Sequence, residues 1–168
     1  AGNETTANTL SGGLLLLLTH PEELRKVRDN PQLIPNMVEE MLRCTAPAQA
    51  MPRVVTRDTE LGGVSIPAGS QLLLRYISAN RDGAIFDQPE RFCIDRSDAD
   101  RHLSFGQGGK HVCIGLMLAR RELAIAFERL LARLADLRLE IAEADVEYPP
   151  NMLLRGVKSL PISFTRAP

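Results

Sequence analysis

Apolar positions recur with different periods along this chain, and the changes mark its elements. An Ala- and Leu-rich stretch over 1–18, ending in the run Leu14 to Leu18, reads as a helix closed by Thr19-His20-Pro21. Pro21-Glu22-Glu23 opens a second helix, with proline in the first turn and acids at the positive end of the dipole; Asn30-Pro31 stops it. Pro35 lies at the start of a third helix, over 33–43, closed before Pro47. Over 53–76 the pattern shortens to Val54-Val55, Leu61, Val64-Ser65-Ile66 and Leu72 to Tyr76. Gly62-Gly63 and Pro67-Ala68-Gly69 divide these runs, which predicts turns and a small antiparallel sheet. Residues 77–104 have little periodicity, and irregular stretches of that length are usually functional. From Ile114 to Leu134, Leu116, Leu123, Phe127, Leu130, Leu131 and Leu134 recur at helical steps and predict a long amphipathic helix. Residues 137–165 return to short strands, broken by Pro149-Pro150, Gly156 and Pro161. The fold class is therefore α+β, mainly α-helical.

Composition narrows the function. The 168 residues are 44% apolar and 24% charged, with 12 glycines and 11 prolines, which is ordinary for a globular chain and excludes low complexity. A net charge of −1 argues against a nucleic-acid partner, and 4% aromatics with no Trp leave no stacking platform for bases. Cys44, Cys93 and Cys113 are odd in number and form no C-x-x-C, so neither a disulfide scaffold nor a zinc ribbon is expected. That usage fits a reducing compartment, and we expect a cytoplasmic protein. The five-leucine run is far short of the ~20 apolar residues of a membrane span.

The strongest chemical signal is Phe105-Gly106-Gln107-Gly108-Gly109-Lys110-His111-Val112-Cys113-Ile114-Gly115. A glycine-rich loop delivers a cysteine to the first turn of the long helix. Unpaired N–H groups and the positive dipole end favour thiolate over thiol there. Glycines let the backbone pass close to a flat, bulky group, and a thiolate ringed by N–H donors suits a haem iron. A phosphate loop is excluded because Gly109-Lys110 is followed by His111, and a dinucleotide fingerprint because His111 takes the place of its third glycine. Cys44 and Cys93 are expected to be small buried hydrophobes.

With these residues in view, the chain resembles the C-terminal part of a cytochrome P450 of the soluble bacterial kind, a haem-thiolate monooxygenase. The resemblance covers essentially all of 1–168, as one part of a single catalytic domain. Ala1-Gly2-Asn3-Glu4-Thr5-Thr6 is similar to the family's oxygen-activation stretch, which makes 1–18 the remainder of that helix. Glu40-Met41-Leu42-Arg43 matches E-x-x-R in the 33–43 helix, and Pro89-Glu90-Arg91-Phe92 matches a segment of the 77–104 meander. Residues 105–115 match the haem-binding cysteine loop ahead of the 114–134 helix. Ile66-Pro67-Ala68-Gly69, Ala79-Asn80-Arg81-Asp82, His102 to Gly106, Leu118 to Glu122 and Arg155 to Pro161 also resemble consensus stretches.

The resemblance implies roles. Cys113 ligates the iron of haem b, iron protoporphyrin IX, with Phe105, Gly106 and Gly115 forming its loop. Arg53 and His111 bind the propionates. Glu4 feeds protons inward, and Thr5 hydrogen-bonds the activated oxygen. Glu40, Arg43 and Arg91 form an internal supporting network. Electrons come from NAD(P)H through a ferredoxin or flavoprotein reductase, and a small organic substrate is oxidised, most simply by hydroxylation. Lys110, Arg120 and Arg121 offer a basic face to an acidic partner. Val54-Val55 and residues 151–154 line the substrate.

Two departures qualify this picture. Phe105 to Cys113 is eight steps where the family has seven, with Gly109-Lys110 in place of one residue; a glycine bulge absorbs the difference. Gly83 also replaces the usual proline after Asn80-Arg81-Asp82. Family members are more than twice this length, so the resemblance implies that earlier helices, one propionate site and most of the substrate pocket lie outside these residues. The alternative expectation is a non-catalytic or incomplete fragment that at most binds haem.

Overall fold

The computed structural model describes residues 2–167; Ala1, which opens the first quoted stretch, and Pro168 lie outside the described residues. Three helices form the core. α1 (Glu4–Thr19), α3 (Ile34–Thr45) and α5 (Leu116–Arg133) bury Leu14, Leu17, Met37, Met41, Leu123 and Phe127 against one another. The approach is close because α1 presents Gly13: a Cβ there would stand 2.6 Å from Met41 Sδ and 3.2 Å from Phe127.

α2 (Pro21–Asp29) begins at its proline, as expected. Its acids do more than face the dipole. Glu23 is buried and accepts the Ile94 N–H at 3.0 Å and the Lys26 ammonium at 2.9 Å, so it ties α2 to the irregular stretch. Arg28 donates to the carbonyls of Leu131 and Leu134, a cation placed at the negative end of α5.

The expected small sheet is two antiparallel pairs. β1 (Ala50–Val54) pairs with β4 (Gln71–Arg75), and β2 (Thr59–Leu61) with β3 (Val64–Ile66). Residues 77–104 are irregular apart from the end of α4 (Tyr76–Ala79) and a 3-10 turn at Ala99–Arg101.

Two boundaries differ from expectation. Ile114 fits the apolar period, yet α5 starts at Leu116 with Gly115 as its N-cap, so Cys113 lies ahead of the helix rather than in its first turn. At the other end Leu134 is already extended and opens β5 (Leu134–Leu139). The hairpins expected over 137–165 reduce to one pair, β5 with β6 (Ile162–Arg166); the segment between is irregular apart from a 3-10 turn at Glu143–Asp145 and touches β1's approach through the bridge Ala48 to Leu154. Among the described residues no helix is long and apolar enough to cross a membrane.

Candidate functional site: a cysteine loop facing a cavity

The cysteine loop is shaped by its glycines. Gly106, Gly108 and Gly109 take φ values of 71°, 63° and 138°, which side chains with a Cβ rarely adopt. The loop closes when the Cys113 N–H donates to the Phe105 carbonyl at 2.9 Å. At the tip of the loop Gly108, Gly109 and Lys110 are exposed. Cys113 is half-buried and free.

Its thiol faces a cavity of about 600 Å³ between α1, α5 and the loop. Leu42, Ile114, Leu118, Ala119 and Leu123 give it apolar walls, Thr5, Thr6 and Thr9 line the α1 side, and Arg53, His111 and Tyr76 stand at one edge. Of the residues expected at the site, Thr5, Arg53, Phe105, Gly106, His111, Cys113 and Gly115 are therefore gathered around one space. A free cysteine sulfur, apolar walls and the Arg53 and His111 side chains suit a flat apolar macrocycle bearing carboxylates. The residues present fit haem.

Other expected residues are elsewhere. Glu4 is exposed at the start of α1 and is not part of the cavity wall, so the acid and alcohol do not converge in it. Val54 points to solvent and Val55 into the core, while residues 151–154 run beside Pro47 and Ala48 without lining the space. Lys110 lines a second cavity of about 450 Å³ on the outer side of the loop, together with Arg53, Arg75 and His111. Cys44 is buried, and burial with the nearby Glu40 charge pushes its thiol up to about 12. Cys93 is not the buried hydrophobe expected: it is half-buried and its thiol donates to Asp95 at 2.9 Å.

Behind the loop lies a fully buried ion pair. Arg43 and Glu40, three residues apart on α3, are both 0% exposed and meet at 2.6 and 2.8 Å. The remaining Arg43 donors reach the carbonyls of Asn80, Pro89 and Arg91 and the sulfur of Cys44. Burial works against the Arg43 charge, but the Glu40 hydrogen bond and neighbouring charges outweigh it and raise its pKa. The third member of this network is Arg96, not Arg91. Arg96 Nε donates to Glu40 at 3.2 Å, whereas the Arg91 guanidinium turns to Gln88 and only its carbonyl joins the network. Asn80, also missed as a site residue, pins Leu103 and Ser104 to α3 through its side chain.

A second network was not anticipated. Glu39 takes two hydrogen bonds from Arg120, at 2.7 and 2.8 Å, and lies 3.2 Å from His102 Nε2. Burial alone would raise the Glu39 carboxyl. The close His102 ring and the paired hydrogen bonds and charge of Arg120 outweigh it and lower the pKa from 4.5 to about 2. Arg120 is thus committed inward and does not belong to an open basic face.

A half-buried cysteine on a glycine loop, beside a largely apolar cavity that Arg53 and His111 also line, is the arrangement a cysteine-ligated haem requires. The comparisons give the family: the Cytochrome P450 family model matches residues 1–153, and this chain belongs to that family. It is 43% identical over 99% of its length to a steroid C26-monooxygenase of Mycobacterium tuberculosis, and 46% identical over 98% to a biotin biosynthesis cytochrome P450 of Bacillus subtilis. It superposes with a TM-score of 0.93 and 44% identity on P450BioI in complex with an acyl carrier protein ligated to hexadec-9Z-enoic acid, covering 98% of this chain and 42% of that one. The chain spans 44% and 40% of the two curated relatives' lengths.

Proposed function

We propose that these residues are the ligand-bearing part of a single catalytic domain of a cytoplasmic haem-thiolate monooxygenase. The observation that carries it is Cys113, free and held toward the apolar cavity by the Phe105 hydrogen bond. Haem b, when bound, supplies the activation of dioxygen, with electrons from NAD(P)H arriving through a ferredoxin or flavoprotein reductase. Cys113 would be its ligand through the sulfur. Arg53 and His111, at the cavity edge, take its carboxylates. Thr5, which lines the same cavity from α1, would hold a proton at its hydroxyl there. Glu4 exchanges protons with water one residue earlier on the solvent-facing side. Glu40, Arg43 and Arg96 fix the loop's support, without contact with substrate. The substrate is a small organic molecule that is hydroxylated or otherwise oxidised.

The alternative is a fragment that holds haem without turnover. It is favoured by Ile114, Met117 and Leu118, large apolar side chains left exposed beside the cavity.

The CO complex of the reduced haem-loaded protein tests the reading. It is expected to give the strongly red-shifted Soret band of thiolate ligation, abolished in Cys113→Ser. No such band in the unaltered protein overturns the assignment of Cys113. A band without oxidised product in the presence of reductant and reductase selects the alternative.

A further inference from the structure

The Glu39 network reaches the cysteine loop through one aromatic ring. Arg120, held by two hydrogen bonds to Glu39, sets its guanidinium carbon 4.9 Å from the centre of the Phe105 ring. His102 packs on the same ring, with centroids 5.7 Å apart. Phe105 lines the cavity beside Cys113, and its carbonyl accepts the Cys113 N–H. Three segments distant in sequence therefore meet at one residue: α3, the stretch before the loop, and the second turn of α5.

His102 is set for this role. Its Nδ1 accepts the Ser104 N–H at 3.1 Å, which leaves the proton on Nε2. Nε2 is buried and 3.2 Å from Glu39, too poorly aligned for a good hydrogen bond, so its contribution is a close positive dipole. Arg120 supplies the strong part, a paired charge-assisted contact. The Glu39 side chain is 14% exposed and that of Arg120 30%, so each charge is only partly screened.

We propose that Glu39 and Arg120, with His102, are positioning residues that set the charge felt at the Cys113 loop. Paired, they present a neutral unit behind Phe105. Unpaired, either one leaves a full charge at the back of the Phe105 ring, whose residue closes the loop onto Cys113. This rests on the reading of Cys113 as haem ligand.

The sign of the effect separates charge from mere support. Reduction adds an electron to the site, so a lone cation nearby favours it and a lone anion opposes it. In the haem-loaded protein, redox titration of Glu39→Gln is expected to shift the reduction equilibrium severalfold toward the reduced form. Arg120→Gln is expected to shift it severalfold the other way, and the double variant to return close to the unaltered protein. A structural role alone moves all three in the same direction, with the double variant displaced most, and that result overturns the proposal. Should Glu39→Gln fail to fold, Arg120→Lys decides. It keeps the charge and loses the fork, so its equilibrium stays near that of the unaltered protein; a shift equal to that of Arg120→Gln overturns the inference. If the unaltered protein lacks the red-shifted CO band, the ligand reading falls and this inference with it. If the band is present and the opposed shifts are absent, only the inference falls.

Discussion

The two sides of the cysteine loop are built on opposite rules. Behind it, around Glu40 and Arg43, the polar groups are buried and their hydrogen-bonding capacity is filled by named partners. In front of it, around Cys113, the thiol has no hydrogen-bond acceptor, the walls are apolar, and Ile114 is fully exposed. The first side is satisfied from within the chain. The second presents groups whose partners a ligand would supply. Stability and chemistry are thus carried by different residues, although the two sets share α3 and the loop between Asn80 and Cys113.

The largest expected effect breaks the closed side. Arg43→Ala removes one partner of a buried pair and leaves Glu40 without it, together with carbonyls of Asn80 and Pro89 that lose their donor. Breaking such a pair costs about 3–5 kcal/mol, enough to threaten folding of a marginally stable domain. Urea unfolding followed by circular dichroism measures it. A loss below about 1 kcal/mol, the level of a surface pair, would mean that the network does not carry the fold.

What the sequence revealed follows the same division. Glu40 and Arg43 were legible as a pair because a spacing of three on a helix places side chains together. Their third partner was not. Arg91 and Arg96 both lie in a stretch without periodicity, and nothing local says which guanidinium turns inward; the structure uses the side chain of Arg96 and the carbonyl of Arg91. Phe105, Gly106 and Cys113 were legible because a glycine loop before a helix has few physical uses. The commitment of Arg120 to Glu39 was hidden, since 81 residues separate the partners and charge alone reads as a solvated face. The same limit applies to Glu4: its place beside Thr5 in sequence does not put it on the cavity side of α1.

Acid titration probes the border between the two sides, where Glu39 stands. Its pKa is depressed in the fold, so its stabilisation is fully present above its ordinary 4.5 and is lost as pH falls toward about 2. At 1.36 kcal/mol for each unit of pKa, the effect reaches about 3 kcal/mol. Stability curves of the unaltered protein and Glu39→Gln, measured from pH 7 to pH 2, are expected to run parallel above pH 5 and to converge below it. A gap that stays constant to pH 2 would show that the carboxylate is not the group responsible.

The smallest expected effect sharpens the comparison most. Cys113→Ala deletes a half-buried sulfur whose side chain makes no hydrogen bond, while the backbone N–H that closes the loop onto Phe105 remains. Nothing in the folded chain loses a partner, so without haem its urea midpoint should stay within about 0.5 kcal/mol of the unaltered protein, as for substitutions away from special features. The contrast with Arg43 then separates two kinds of indispensable residue: one without which the loop has no support, and one whose removal leaves the fold intact and takes away only the ligand atom. A large loss in Cys113→Ala would instead place the thiol among the structural contacts, and the division between a closed back and an open front would not hold.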